Sequence, residues 1–395
     1  MTTKPYVDIT LFDTTLRDGA QSLPASHQFA SGAKPRIAQT IAELGIGVLE
    51  AGFPATPSDG AEVQAVAQSV GTMLYEHTSW VGGVSRGKSS FIPVVAGFAR
   101  ATHDDIDKTW QAVQGALFPR INTFVSTSDF HRERKFPGTS RDQLLVIGEK
   151  AVKYAVHVSR RHKDATVEFS AEAASTTDPG YLREVLVAVV QAGASVVNVP
   201  DTVGERDPFW MKHFYSQVIE WVMRVNPGVT IAAHNHNDLG LAVANTHALV
   251  WAAAEWVSTH QKTVHIQLEA TVCGLGERAG NADIFSIAGG LHKFAPSLPV
   301  SIRWHFNPER AVKAAHRVLA EAGFEIPRQS VIVGSDTNVH RSGIHSDGVI
   351  KGGHTMYTPF DPVFWGHKSQ AVHEDGRYQG RAGRAIVSTA VGIKE

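Results

Sequence analysis

Residues 231–245, IAAHNHNDLGLAVAN, carry the unit on which the chain is built. A short apolar run reads as a strand. His234-Asn235-His236 and Asn237-Asp238-Leu239-Gly240 follow it, and an apolar, helix-like segment comes next. Alternate side chains of a strand share a face, so His234 and His236 point one way and Asn235 the other. Two imidazoles on one face at a strand end can grip a divalent metal. Twenty histidines in 395 residues give about one chance His-x-His per chain, so the pair alone does not identify a metal site. Its company adds to it. Asp13-Thr-Thr-Leu-Arg17-Asp18-Gly19-Ala-Gln21 and Gly274-Leu-Gly276-Glu277-Arg278-Ala-Gly280-Asn281 each follow an apolar run as well. Polar, glycine-bearing clusters placed just after strands suggest one shared site.

Working outward, strands are expected at 7–12, 48–53, 91–98, 121–125, 166–170, 195–199, 229–233 and 264–271. Helices are expected over 33–44, 60–70, 104–117, 140–161, 179–192, 210–225 and 241–257. Residues 74–90 show no clear periodicity and read as a long loop carrying Trp80, Gly82, Gly83, Arg86, Gly87 and Lys88. Strands separated by crossover helices must be parallel. Eight such units fit a (β/α)8 TIM barrel, with the active site at the C-terminal ends of the strands. A doubly wound sheet would normally bring a nucleotide-type glycine loop after the first strand, and Arg17-Asp18-Gly19 is not one. From 298 the pattern changes. A helix over 307–322 precedes a glycine-rich stretch, 327–353, that contains Ser342-Gly-Ile-His345-Ser-Asp347-Gly348. Tyr357-Thr-Pro-Phe-Asp-Pro and a polar, glycine-rich end at 374–384 follow. The expected division is a catalytic barrel, 1–297, and a small, mostly helical C-terminal arm, 298–395, that packs on the barrel or on a partner subunit.

The composition, 43% hydrophobic and 19% charged, is that of a globular protein. A net charge of −1 leaves no electrostatic footprint for nucleic acid or an anionic membrane. Cys273 is the only cysteine, which excludes an intramolecular disulfide and suits a reducing cytoplasm. The N-terminus, MTTKPYVDITLFDTT, lacks the apolar core of a signal peptide. No window offers the ~18–20 apolar residues of a membrane span. A soluble, cytoplasmic protein is expected.

Were Asp18, His234, His236 and Asn281 to converge, one carboxylate, two imidazoles and one amide oxygen would suit Mg2+, Mn2+, Co2+ or Zn2+. The absence of thiolate argues against a closed structural zinc. Open positions on such an ion let a 2-oxo acid chelate through its keto and carboxylate oxygens, and the metal polarises the carbonyl. Arg17 would stabilise the oxyanion that develops when a carbon nucleophile attacks. Arg17-Asp18 can also be read as a barrel-mouth salt bridge.

The three motifs resemble the signatures of the 2-isopropylmalate synthase and homocitrate synthase family, and the likeness runs from residue 7 to about 383. The resemblance implies a metal-dependent barrel that condenses acetyl-CoA with a 2-oxo acid and hydrolyses the thioester. It makes Asp18, His234, His236 and Asn281 the metal ligands and Arg17 the electrostatic catalyst. Glu172 would sit at the substrate with Gln21, Asn122 and Thr176, and Thr202 would bind its carboxylate. His345 resembles the histidine that the family's arm delivers across a homodimer for acid–base chemistry, and Tyr357 its companion.

The chain departs from that pattern in places. Ala173 and Thr176 stand where an acidic residue and an arginine are usual, Asn122 where a histidine is common, and Ala270 and Cys273 where glycine and asparagine are usual. The changes at 122 and 176 favour an apolar 2-oxo acid, as in 2-isopropylmalate synthases. The alternative is a doubly anionic substrate, as in homocitrate or phosphonomethylmalate synthases, should Arg86, Lys88, Arg132, Arg134 or Lys135 point inward. Tyr357-Thr-Pro-Phe-Asp-Pro looks more like the homocitrate synthase arm. The sequence stops before the regulatory domain of leucine-sensitive relatives, so feedback control of that type is expected to be missing. A lyase or aldolase of the same superfamily is the competing enzyme. The 3-hydroxy-3-methylglutaryl-CoA lyases use a cysteine-bearing loop, for which Cys273 is the sole candidate, in a different context. A biotin-dependent carboxyltransferase needs a lysine ligand that Phe169-Ser-Ala-Glu172 lacks. A non-catalytic metal-binding scaffold would not need Arg17, Glu172 and His345 together.

Overall fold

The computed structural model describes residues 4–374, so the part of the polar end beyond Glu374 lies outside the described residues. Eleven strands form one sheet: β1 (Val7–Asp13), β2 (Val48–Gly52), β3 (Tyr75–Val81), β4 (Val84–Phe91), β5 (Val94–Arg100), β6 (Pro119–Ser126), β7 (Thr166–Glu172), β8 (Val196–Asn198), β9 (Thr230–His234), β10 (Val264–Ala270) and β11 (Ile302–His305). Of these, β1, β2 and β5 to β10 are parallel neighbours, and β10 closes on β1 in register from Val7↔Val264 to Asp13↔Ala270. The result is the expected (β/α)8 barrel. Several helices between the strands start where a side chain accepts a free backbone N–H, though Lys34–Glu43 and Ala242–His260 have no such cap. Thr56, Thr102, Asp178 and Asp207 cap the helices Pro57–Ser69, His103–Val113, Pro179–Gln191 and Pro208–Val225, and Ser140 with Gln143 makes a capping box for Arg141–Ser159. The helix Ile284–Phe294, which the sequence reading left out, begins at Asp283 in the same way.

Residues 74–90 are not a loop. They form the antiparallel hairpin β3–β4, turned by Gly82 and Gly83 at φ 56° and 81°. Positive φ at both central residues is what a type I′ turn requires and glycine permits. Strand β4 is exposed along almost its whole length, so it carries no apolar alternation to read. Because Phe91 ends that strand, the third barrel strand starts at Val94 and not at 91. The hairpin has a structural task. β1 and β2 pair only at Phe12 and Asp13, towards the C-terminal end. Lower down, β11 pairs with Val7 and Asp8 of β1 and joins antiparallel to β3. The hairpin thus covers an edge that would otherwise be open at the foot of the barrel.

The chain separates into two compact units, one to Phe306 and one from Asn307 onward. β11 lies in the first because its partners do. In the second unit the helix Ala311–Glu321 is followed by the helix Gly343–Gly352, and Val339–His340 pairs in parallel with Val372–His373. Among the described residues no helix is long and apolar enough to cross a membrane.

Candidate active site

Strand β1 ends at Asp13, whose carboxylate accepts from Thr15 N and Thr15 Oγ1, both at 2.9 Å. A wide helical turn, Thr15–Gly19, follows, and Thr14 Oγ1 accepts from Asp18 N at 3.2 Å. Wide turns of this kind recur at functional sites. The turn brings Arg17 and Asp18 over the C-terminal mouth of the barrel, where β9 ends at His234. Asp18, His234 and His236 are buried, and their ligand atoms lie within 4.8 Å of one another. His234 Nε2 is 3.5 Å from Asp18 Oδ2, His236 Nε2 is 3.9 Å from the same oxygen, and the two Nε2 atoms are 3.3 Å apart. Asn281, bridged through its backbone to His236, donates from Nδ2 to Asp18 Oδ2 at 2.7 Å. Its buried Oδ1 has no hydrogen-bond partner. Close packing makes glycine necessary in this loop: a Cβ on Gly276 would lie 2.4 Å from Asn281 Oδ1, and one on Gly280 2.2 Å from the Gly274 carbonyl oxygen.

Arg17 ties the cluster to the lumen. Its Nη1 donates to Asp18 Oδ1 and its Nε to Glu50 Oε2, each at 2.6 Å, and its guanidinium stands 4.4 Å over the Phe98 ring. Burial works to raise the Asp18 pKa, but Arg17 first, and then His234, hold it well below the usual carboxylate range. For His234 burial works downward, yet hydrogen bonds to Asp18 and Glu269 carry its pKa up to about 9. Burial and the His234 charge push His236 down to about 3. An ionised carboxylate beside an imidazole held neutral is a donor pair that a divalent cation can bind. The donor set, with the unpartnered amide oxygen beside it, fits Mg2+, Mn2+, Co2+ or Zn2+.

The other expected residues are distributed as follows. Glu172, at the end of β7, bonds Ser126 Oγ and pairs with Lys135 Nζ at 2.6 Å. Thr202 Oγ1 accepts from Ala173 N at 2.9 Å. Gln21 and Arg17 line a cleft of about 350 Å3 with Phe53 and Thr56. Asn122 and Thr176 lie in contrasting settings. Asn122 is buried below the mouth, its Nδ2 donating to Glu50 Oε1 at 2.9 Å and its Oδ1 accepting from Ser170 Oγ at 3.0 Å. Thr176 is exposed and its hydroxyl donates to the Ala173 carbonyl at 3.0 Å. His345 and Tyr357 lie in the second unit, stacked with ring centroids 4.0 Å apart; a Cβ on Gly348 would meet Tyr357 Cε2 at 2.6 Å.

The sequence reading passed over three acids of the lumen, Glu50, Glu168 and Glu269, each almost fully buried. A signal is present in the sequence: each lies inside a barrel strand, Glu50 in an otherwise apolar one, and a charge rarely enters a buried strand without partners.

A closed (β/α)8 barrel with a carboxylate–imidazole–imidazole cluster at its C-terminal mouth defines the class. The chain belongs to the HMGL-like family, whose model matches residues 8–305. It is 39% identical to the 2-isopropylmalate synthase of Thermosynechococcus vestitus over 87% of this chain and 59% of that protein. It is 36% identical to 2-isopropylmalate synthase B of Solanum pennellii over 87% of this chain and 51% of that protein. The chain thus spans little more than half the length of these relatives. In fold it is similar to hydroxymethylglutaryl-CoA lyase from Pseudomonas aeruginosa, with a TM-score of 0.55 at 16% identity, covering 82% of this chain and 94% of that one.

Proposed function

We propose that the protein is an acyltransferase that condenses acetyl-CoA with a 2-oxo acid to give a 2-substituted malate and free coenzyme A. The convergence of Asp18, His234 and His236 beside Arg17 carries this reading, and the similarity to 2-isopropylmalate synthases supports it. A base removes a methyl proton from acetyl-CoA, and the carbanion adds to the keto carbon. Protonation turns the keto oxygen into a hydroxyl, and water then cleaves the thioester, releasing the thiol. A divalent cation held by Asp18, His234, His236 and Asn281 would supply Lewis-acid polarisation of the keto group. Arg17, fixed by Glu50 and Asp18, presents a charge to the developing oxyanion with little reorganisation. Glu172, Thr202 and Gln21 hold substrate around it. His345 and Tyr357 act in acid–base chemistry, delivered from the partner subunit of a homodimer. A cytoplasmic setting is consistent with a single cysteine.

An apolar 2-oxo acid is favoured. Phe98 and Phe124 stack at 4.7 Å beside Arg17. Arg132 is taken up by Asp129, Glu133 and the Thr139 carbonyl, and Arg134 lies over the Phe130 ring. Arg86 and Lys88 sit on β4, in the hairpin at the foot. A doubly anionic substrate keeps one specific observation in its favour: Lys135, though half exposed, places its ammonium 2.6 Å from Glu172. The lyase reading loses ground because burial pushes the Cys273 thiol up, away from the reactive thiolate. Thiol release from acetyl-CoA, measured with 3-methyl-2-oxobutanoate, phenylpyruvate, 2-oxoglutarate and 3-phosphonopyruvate, tests the proposal. Release only with a 2-oxo acid present is expected, with kcat/KM highest for an apolar one. No release with any of the four removes the synthase reading, whereas preference for a dianion overturns only the apolar pocket.

A further inference from the structure

A belt of hydrogen bonds crosses the barrel lumen beneath the candidate metal centre. From Arg17 it runs through Glu50 to Asn122, on to Ser170, and then to Asn198, which donates to Ser170 Oγ at 3.2 Å and to Glu269 Oε2 at 3.1 Å. It ends at His234, whose Nδ1 is 3.1 Å from Glu269 Oε2. Gln267 Nε2 donates to Glu269 Oε1 at 3.0 Å, and Gln267 is itself held by Arg120 at 2.7 Å. Glu269 is 2% exposed. A carboxylate so placed can only accept, so the neutral ring, the form that can bind a cation, carries its hydrogen on Nδ1. Its lone pair is then on Nε2, the nitrogen facing Asp18 and His236.

The geometry points to Glu269 as a positioning residue: by accepting from His234 Nδ1 it fixes both the ring orientation and the tautomer that turns Nε2 to the metal. This rests on the metal-centre reading above. Outer carboxylates of this kind set ligand basicity and orientation in metal sites generally. The belt gives the arrangement its stiffness, because three donors from β8, β9 and β10 converge on two oxygens of one carboxylate. An amide in that place would have one acceptor oxygen and an NH2 that must oppose a donor on either side.

The test compares divalent-metal binding, titrated calorimetrically with Mn2+ and with Zn2+, in the wild-type chain and in Glu269→Gln, His234→Ala and Glu168→Gln. Glu168 is an equally buried acid that bonds Arg120, Gln267 and Glu269 itself without touching His234, and a glutamine in its place keeps a donor for Glu269. Glu269→Gln is expected to raise the metal Kd about 10- to 100-fold while Glu168→Gln leaves it within about 2-fold. An unchanged Kd in folded Glu269→Gln overturns the inference, as does an equal loss in both glutamate variants. If the wild type and His234→Ala bind metal equally poorly, the metal-centre reading itself has failed, which is a different result. Should Glu269→Gln not fold, 15N spectra of histidine-labelled wild type loaded with Zn2+ decide. His234 protonated at Nδ1 and coordinated through Nε2 is expected, and coordination through Nδ1 overturns the role given to Glu269.

Discussion

At the mouth of the barrel His234 faces Asp18 and Glu269, and its pKa rises to about 9. At the foot His77 lies between the rings of His305, at 3.9 Å, and Phe91, at 4.5 Å, and its pKa falls to about 4 through burial and the neighbouring imidazole. Both are histidines on strands of the same sheet. Their surroundings separate them: His234 has buried carboxylates on both ring nitrogens, whereas His77 has aromatic faces on both sides of its ring. Trp80 and Trp304 stack there at 5.7 Å, and Trp80 Nε1 donates to the Phe306 carbonyl at 3.1 Å. Histidine content alone thus says little about metal binding, and the sign of the local field says a great deal.

The sharpest break in that comparison comes from removing a ring at the mouth. His234→Ala or His236→Ala should lower kcat/KM by ~100-fold or more and weaken metal binding, because each deletes a proposed ligand. Thiol-release kinetics after chelator treatment and metal reconstitution check it. Wild-type activity in His236→Ala protein kept free of metal would erase the distinction between the two ends.

The foot should respond in stability and not in chemistry. Trp304 is completely buried between strands, so Trp304→Ala should cost about 3–5 kcal/mol in urea unfolding. Metal Kd and KM should stay near their wild-type values at temperatures where the variant is folded. A loss of metal affinity as large as that of His234→Ala would mean that the hairpin serves the site directly.

The mouth was more legible in the sequence than the foot, for physical reasons. Asp18, His234, His236 and Asn281 each follow a buried strand in a glycine-bearing cluster, and parallel barrels gather such strand ends on one face. The foot rests on β4, whose exposed residues carry no period, and on β11, four residues whose role depends on a distant edge. The depth of Asn122 is not legible in the sequence, because a polar residue in a barrel strand can face the mouth or the lumen below it, and only position along the strand distinguishes them. His234–Glu269 escaped notice since the partners are far apart in the chain and pair only when β9 and β10 lie side by side.

The smallest expected effect concerns acid. His77 has a folded pKa of about 4, below its ordinary 6.5. The folded state therefore favours the neutral ring, and its contribution to stability is complete above pH 6.5 and is lost as pH falls from 6.5 towards 4. His305 faces it ring to ring and is lowered in the same sense by burial, with Asp8 opposing; Ser79 Oγ lies 3.1 Å from His305 Nδ1. Protonating either imidazole in the stack places charge against the other. His77→Phe keeps an aromatic face between His305 and Phe91 but cannot titrate. Its stability, measured by urea unfolding at pH 7.5, 6, 5 and 4.5, should fall less steeply with acid than that of the wild type. The gap should reach on the order of 1–2 kcal/mol by pH 4.5 after allowing for solvent screening. Buried histidines elsewhere, His247 among them with a pKa of about 4, titrate equally in both proteins and cancel in the difference. Parallel curves would show that the stacked ring at the foot is not held neutral by its surroundings, and the contrast with the mouth would then rest on His234 and His236 alone.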